Sequence, residues 1–252
     1  MCQQCANVSP SLHPRLSRRR FLSLASTGAL GLGLLGVGLG TRSLFASPAG
    51  APPKPGNVMT PDAAWQRLRE GNLRYTQGAS RKLDFATDRH ALTGGQNPFA
   101  AILSCADSRV TPEFAFDTGL GDLFVVRVAG NVVDDDAVAS FEYAFEHLGT
   151  PLLVVLGHEK CGAVGAAVKA VKERAEMPGH LPHLLSHIRP AVSNVLDKPG
   201  DLVANAVREN VLLNIENLKK ATPILSHLVE EKKIRIVGGV YKLENGEVEW
   251  VS

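Results

Sequence analysis

Hydrophobic positions between residues 100 and 241 form short continuous runs, separated by longer stretches with helical spacing. The runs lack polar alternation, which is typical of strands that are covered on both faces of a parallel sheet. Strands that alternate with helices in this way indicate an α/β fold, so we predict a parallel four-stranded core sheet with flanking helices and a possible edge strand at the C-terminus. The predicted strands are Ala100–Ser104, Leu123–Ala129, Leu152–Leu156 and Ile234–Tyr241.

Helix signals precede the first predicted strand and recur between the later strands. Thr60 is a good capping residue, and Pro61 occupies the first helical position, so a helix is predicted from there to about Gly78. The other predicted helical stretches are Ala137–Leu148, Ala163–Arg174 and the long region Leu184–Glu231.

The first 51 residues differ from the rest of the chain in charge. They contain five arginines and no acidic residue, which leaves 22 basic against 25 acidic residues for the remainder. Ser17–Leu22 includes three consecutive arginines, and the uncharged run Phe21–Thr41 follows it. This pattern is typical of an export signal and resembles a twin-arginine signal, which addresses folded proteins to a dedicated export machinery. We therefore expect residues 1–51 to be cleaved and the protein to be periplasmic.

An uncleaved membrane anchor is the alternative for this leader, because about 20 apolar residues can span a bilayer. Six glycines between Gly28 and Gly40 weaken that alternative, since they lower helix propensity. After the leader we expect a linker at residues 52–59 and one domain at residues 60–252. This domain has no basic stripe, which argues against nucleic acid as a partner.

Candidate chemistry lies just after two of the predicted strands, at the sheet edge where ligands usually bind. Cys105 follows the first strand, and His158 and Cys161 follow the third. Two thiolates and one imidazole suit zinc, and three protein ligands leave a fourth position open, as in catalytic sites. A disulfide between the two cysteines is the simpler alternative for an exported protein.

Asp107 and Arg109 lie beside the first cysteine and could pair as carboxylate and guanidinium. Their spacing alone leaves a catalytic pair and a structural ion pair equally open.

Three segments together resemble the β-class carbonic anhydrases: Cys105–Val110, Gly121–Arg127 and Gly157–Gly162. The similarity extends from about Trp65 to Trp250. It implies the reversible hydration of carbon dioxide to bicarbonate and a proton, with one zinc ion per subunit. The family fold, a four-stranded parallel core with flanking helices, agrees with the hydrophobic pattern.

The resemblance also implies roles for individual residues. The zinc ligands fall on Cys105, His158 and Cys161. The catalytic pair falls on Asp107, which would accept a hydrogen bond from the nucleophile, and on Arg109, which would hold Asp107 ionised and aimed.

Further positions match the substrate site of the family. The side-chain amide of Gln96 would help to hold substrate, and Gly162 would leave room beside the metal. Phe124 and Tyr143 match positions that line the carbon dioxide pocket from across a dimer interface in plant-like members. A homodimer or a higher homo-oligomer is therefore expected.

Some family members let the aspartate swing onto zinc, and some of those bind an extra bicarbonate next to a tryptophan. That tryptophan position is Ile102 here, so we expect no such bicarbonate site and an open zinc site. Two alternatives to carbon dioxide hydration stay open at this point. One is hydrolysis of carbonyl sulfide or carbon disulfide on the same scaffold, and the other is a non-catalytic zinc-binding envelope protein.

Overall fold

Five strands form one sheet at the centre of residues 52–251, the part of the chain that the computed structural model describes. They are β1 (Ala100–Ser104), β2 (Leu123–Arg127), β3 (Leu152–His158), β4 (Arg235–Tyr241) and β5 (Val248–Trp250). Their order is β2-β1-β3-β4-β5. The first four are parallel, and β5 pairs antiparallel with β4. The predicted parallel core and the C-terminal edge strand are confirmed.

Helices cover both faces of this sheet. They are α1 (Pro61–Thr76), α2 (Phe85–Ala91), α3 (Pro112–Ala115), α4 (Asp135–Glu146), α5 (Gly162–Lys172), α6 (Leu181–Ser193), α7 (Leu202–Lys219) and α8 (Ile224–Glu230). Short 3₁₀ turns lie at Pro55–Asn57 and Ala129–Asn131. The long region predicted as helical, Leu184–Glu231, is divided among α6, α7 and α8. The capping prediction for α1 is confirmed, because the Thr60 side chain accepts a hydrogen bond from the Ala63 N–H.

Burial along the strands follows their place in the sheet. Every residue of β1 and β3 is buried, which explains their continuous apolar sequences. Side chains such as Ile102 pack on one face with α1, and Leu103 packs on the other face with α4, α7 and α8. Strand β2 is only half-buried because it lies at a sheet edge.

The segment before α1 lies against the domain. Asn57 is buried, and its side-chain amide donates to the Asn97 carbonyl at 2.8 Å and to the Asp122 carboxylate at 3.1 Å. The residues predicted as a linker therefore include an ordered contact with the loop before β2. The predicted export signal, residues 1–51, lies outside the described residues. Within residues 52–251, no helix combines the length and the hydropathy needed to cross a bilayer.

The parallel pairing of β1 with β3 positions the chemistry. Ser104, the last residue of β1, is in register with Leu156, two residues before β3 ends at His158. The chain therefore leaves both strands at the same edge of the sheet, and the segments after them converge there.

Candidate metal centre

Cys105, His158 and Cys161 meet at the carboxyl ends of β1 and β3. Their ligand atoms all lie within 4.8 Å of one another, and all three residues are buried. Cys105 directly follows β1, and His158 ends β3. Lys160 adopts a left-handed conformation with φ of 52°, which turns the chain so that Cys161 comes back to His158 and begins α5. The three residues therefore form a preformed ligand set.

The donor atoms of this cluster fit zinc. The two sulfurs are 3.9 Å apart, so the cysteines are free rather than joined in a disulfide. His158 Nδ1 lies 2.8 Å from the Glu159 carbonyl, which can only accept, so Nδ1 carries the proton and Nε2 keeps its lone pair. That Nε2 is buried with no hydrogen-bond partner among the described atoms. A buried nitrogen without a partner is unfavourable, and a metal ion coordinated by Nε2 and the two thiolates would provide that partner.

The two thiols differ in how readily they lose a proton. The pKa of Cys105 is lowered because the Cys161 thiol donates a hydrogen bond to its sulfur, and the Gly130 N–H, 3.2 Å away, acts in the same direction. The pKa of Cys161 is raised, because its proton is held by Cys105 and because it is buried. Cys105 is therefore the cysteine that loses its proton first, and binding of a divalent cation would favour loss of the proton from Cys161 as well.

Asp107 and Arg109 form a two-pronged ion pair beside this cluster. Arg109 Nε donates to Asp107 Oδ1 at 2.9 Å, and Nη2 donates to Oδ2 at 2.7 Å. These bonds hold the pKa of the Asp107 carboxyl well below its usual range. Asp107 Oδ2 also lies 3.8 Å from His158 Nε2. An ionised carboxylate with a fixed orientation therefore lies next to the metal-ligand cluster.

Gly162 is the first residue of α5 and directly follows the ligand Cys161. Gly162 is exposed, and a Cβ at this position would meet no described atom within 4 Å. The missing side chain therefore leaves open space at this position, and the role of Gly162 beside the substrate stays a prediction.

The other three predicted substrate residues lie away from their own metal centre. Gln96 is exposed and precedes β1, whereas Cys105 follows it, so the two are separated by about 17 Å of strand. Phe124 is in register with Ala101, near the start of β1, and its ring contacts that of Tyr143 with centroids 6.5 Å apart. Tyr143 is 41% exposed. One chain therefore does not bring these three residues to the cluster.

Two polar contributors to the site were not predicted. Arg127 donates to the carbonyls of Cys105 at 3.0 Å and of Asp107 at 2.7 Å, which fixes the loop after β1. Asn210 of α7 reaches the loop that contains Gly130. The sequence feature that could have identified Asn210 is its position on the apolar face of a predicted helix, next to Val207 and Val211, where a polar side chain needs a hydrogen-bond partner.

Comparison with known proteins identifies relatives over most of the chain. A family described as carbonic anhydrase matches residues 100–248. Carbonic anhydrase 2 of Mycobacterium tuberculosis is 38% identical over 191 residues, which cover 74% of this chain and 90% of the relative. A carbonic anhydrase of Mycolicibacterium smegmatis is 38% identical over 194 residues, which cover 75% of this chain and 92% of the relative.

Solved structures agree with these sequence relatives. The β-carbonic anhydrase CcaA superposes with a TM-score of 0.60 at 29% identity, covering 75% of this chain and 95% of the other. The Coccomyxa β-carbonic anhydrase, solved in complex with acetazolamide, gives a TM-score of 0.59 at 26% identity, covering 72% and 83% of the two chains.

Proposed function

Because this chain belongs to the β-class carbonic anhydrase family, we propose that its reaction takes place beside Cys105, His158 and Cys161. The reaction is the reversible hydration of carbon dioxide to bicarbonate and a proton, and zinc is the cofactor. The main support for this position of the active site is the buried ligand set next to the ionised Asp107 carboxylate. In this set, His158 Nε2 has no hydrogen-bond partner among the described residues.

The three ligands would hold zinc with two sulfurs and one nitrogen. Bound zinc lowers the pKa of a coordinated water and so supplies a nucleophile near neutral pH. His158 is already in the tautomer that this needs, because the Glu159 carbonyl holds the proton on Nδ1.

Asp107 would orient the nucleophile, and Arg109 would orient Asp107. An ionised carboxylate only accepts hydrogen bonds, so Asp107 accepts one from the attacking water and turns a lone pair of that water toward carbon dioxide. Arg109 occupies both carboxylate oxygens and keeps Asp107 charged and directed. Gly162, which follows Cys161 and has no side chain, would leave room for carbon dioxide beside the nucleophile.

Gln96, Phe124 and Tyr143 would act in the site of a second copy of the chain. They lie at or near the β2 edge of the sheet, and two of them are exposed although the resemblance places them at the substrate. A homodimer built on this edge brings the residues of each subunit to the metal centre of the other. The oligomer is therefore part of the catalytic proposal.

Stopped-flow measurement of carbon dioxide hydration by the zinc-loaded protein, with Asp107→Asn alongside, tests this function. We expect rapid turnover for the unaltered protein. For Asp107→Asn we expect a loss of about 100-fold or more with full zinc content, because the amide keeps the shape but loses the ionised acceptor. Zinc-loaded protein that hydrates no carbon dioxide at any pH between about 6.5 and 9 would contradict the proposal, and carbonyl sulfide would be the next substrate.

The leader supports a second proposal, export by the twin-arginine machinery to the periplasm. Its support is the Ser17–Leu22 segment followed by an uncharged run. Export after folding would also let the cell load zinc before the two cysteines meet an oxidising compartment. Cell fractionation of the protein with Arg18→Lys and Arg19→Lys tests it, because the double variant should stay in the cytoplasm. Equal export of both proteins would overturn the proposal.

A further inference from the structure

Two asparagines of α7 are buried in the interior of the domain. Asn210 is 0% exposed and Asn214 is 3% exposed, and the helix places them one turn apart among apolar neighbours such as Val211 and Ile215. A buried amide is costly unless its hydrogen bonds are made, and asparagine is a poor residue for a helix interior. Their contacts therefore indicate what they contribute.

Both amides bind the turn that follows β2. Asn210 Nδ2 donates to the Gly130 carbonyl at 2.9 Å. Asn214 Nδ2 donates to the Asn131 carbonyl at 3.3 Å and to the Asn210 carbonyl at 2.9 Å. The helix thus accounts for two consecutive buried carbonyls of this turn.

The turn has an unusual backbone conformation. Gly130 and Asn131 both have left-handed conformations, with φ of 74° and 45°. The conformation favours glycine at position 130, and a Cβ there would lie 2.6 Å from Ile188 Cδ1, so that side chain would have to move. Because glycine has many alternative conformations and Asn131 occupies a region that is sparsely populated for a residue with a side chain, the bonds from α7 stabilise the turn in one arrangement.

That arrangement directs a backbone dipole at a metal ligand. The Gly130 N–H points to Cys105 Sγ at 3.2 Å, and the Gly130 carbonyl is the group that Asn210 holds. Rotation of this residue would move the N–H away from the sulfur. Two hydrogen bonds on the same residue, Gly130, therefore connect the Asn210 amide to the Cys105 sulfur.

We propose that Asn210 is a positioning residue for the metal centre, which keeps the Gly130 N–H on the Cys105 sulfur and so sets the electron density of that ligand. The proposal rests on the zinc site described under Proposed function. Hydrogen-bonding groups around a metal site orient its ligands, and their loss typically costs about 10- to 100-fold in metal affinity. Asn214 contributes by holding the neighbouring carbonyl.

The test compares Asn210→Leu with a matched control, Asn72→Leu, in the full chain. Asn72 of α1 is also a buried helical amide, and it donates to the Ala115 and Gly246 carbonyls at 2.9 and 2.8 Å. Within residues 52–251, its hydrogen bonds join it to Ala115, Gly246 and Val248 and to none of the metal ligands. Two readouts do not depend on turnover: the thiolate-to-cobalt absorption band of the cobalt-loaded protein, and zinc affinity in competition with a chelator.

For Asn210→Leu we expect the cobalt band to move to longer wavelength, because a thiolate that loses a hydrogen bond is a better electron donor. We also expect zinc affinity to fall by about tenfold or more, because Cys105 is no longer held in the orientation that suits the metal and this loss outweighs the stronger donor character of the sulfur. Asn72→Leu should lower stability while leaving the band and the affinity unchanged.

The proposal is overturned if Asn210→Leu keeps the band and the zinc affinity of the unaltered protein. Should Asn210→Leu fail to fold, Asn214→Leu decides, with a smaller shift in the same direction expected and an unchanged band as the contrary result. An unaltered protein that binds neither cobalt nor zinc would instead refute the metal centre itself, and this inference with it.

Discussion

Two regions of the sheet differ in whether one chain brings their predicted functional residues together. One is the carboxyl ends of β1 and β3, and the other is the edge strand β2. At the strand ends, three ligands and an oriented carboxylate are already assembled, and the ligands are buried. At the β2 edge, the rings of Phe124 and Tyr143 contact each other, and the tyrosine is exposed. Gln96 precedes β1 and therefore lies at the opposite end of this strand from Cys105.

This contrast separates two tasks of the enzyme. Metal binding uses groups that the parallel sheet brings together inside one subunit, so it should survive in a monomer. In the proposed function, substrate placement would use Gln96, Phe124 and Tyr143, which lie away from the metal centre of their own chain, so it should require a second subunit. Variants in the two regions should therefore differ in zinc content as well as in rate.

The largest expected effect is on the metal side. Cys161→Ser replaces a thiolate with a weakly acidic hydroxyl of similar size, so we expect zinc to be lost and carbon dioxide hydration to fall by more than about 1000-fold. Zinc content by elemental analysis, together with the stopped-flow rate, checks this. A variant with full zinc and near-normal turnover would contradict the ligand assignment.

A smaller effect is expected at the carboxylate pair. Arg109→Lys keeps the charge but loses the two parallel hydrogen bonds to Asp107, so we expect kcat/KM to fall about 10- to 100-fold with zinc content unchanged. Arg81→Lys is the matched control, because Arg81 also pairs with an aspartate, Asp117, away from the metal centre. Equal rates for the two variants would show that the Asp107–Arg109 pair is only structural.

The smallest effect on rate is expected at Asp117 itself. This buried carboxylate accepts hydrogen bonds from Arg74 and from Arg81, and although burial opposes ionisation, these bonds hold its pKa below the ordinary value. Asp117→Asn should keep turnover and zinc but lower the free energy of unfolding by about 1–3 kcal/mol. Asparagine tolerates the left-handed backbone at this position, where φ is 47°.

The pH dependence of that loss follows from the lowered pKa. The Asp117 contribution is fully present above the pKa of an unfolded aspartate and is lost as pH falls through the lower folded value. The difference between the two proteins in denaturant unfolding should therefore be constant near neutrality and shrink below about pH 4. A difference that grows on acidification would show that the carboxylate is not stabilised in its ionised form.

The sequence predicted the core sheet and the ligand cluster well, for a common physical reason. Ala100–Ser104 is uniformly apolar because both faces are covered, so its bounds match β1, and the ligands lie directly after such runs. The breaks that separate α6, α7 and α8 were not predicted, although turn-forming residues mark them, with Pro199 and Gly200 at the first break and Pro223 at the second.

The parts of the site that were not predicted depend on tertiary contacts. The Gly130 N–H reaches Cys105 only because the turn adopts left-handed conformations and α7, 80 residues further along the chain, holds it there. Likewise, the distance between Gln96 and its own metal centre follows from the direction of β1. The first relation leaves no local pattern in the sequence, whereas the second was implied by the predicted strand Ala100–Ser104, which Gln96 precedes and Cys105 follows.

Mixed oligomers test most directly the central claim that one subunit supplies the metal half of each site and its partner the substrate half. One chain carries Asp107→Asn, and the other carries Gln96→Ala with Tyr143→Ala, a double variant that should keep zinc but lose about 10- to 100-fold in rate. Different tags allow the mixed species to be purified after co-expression. Each mixed pair should contain one intact site, so the rate of carbon dioxide hydration should rise to about half that of the unaltered protein. A mixed oligomer no faster than the mean of its two parents would show that each chain builds its whole site alone.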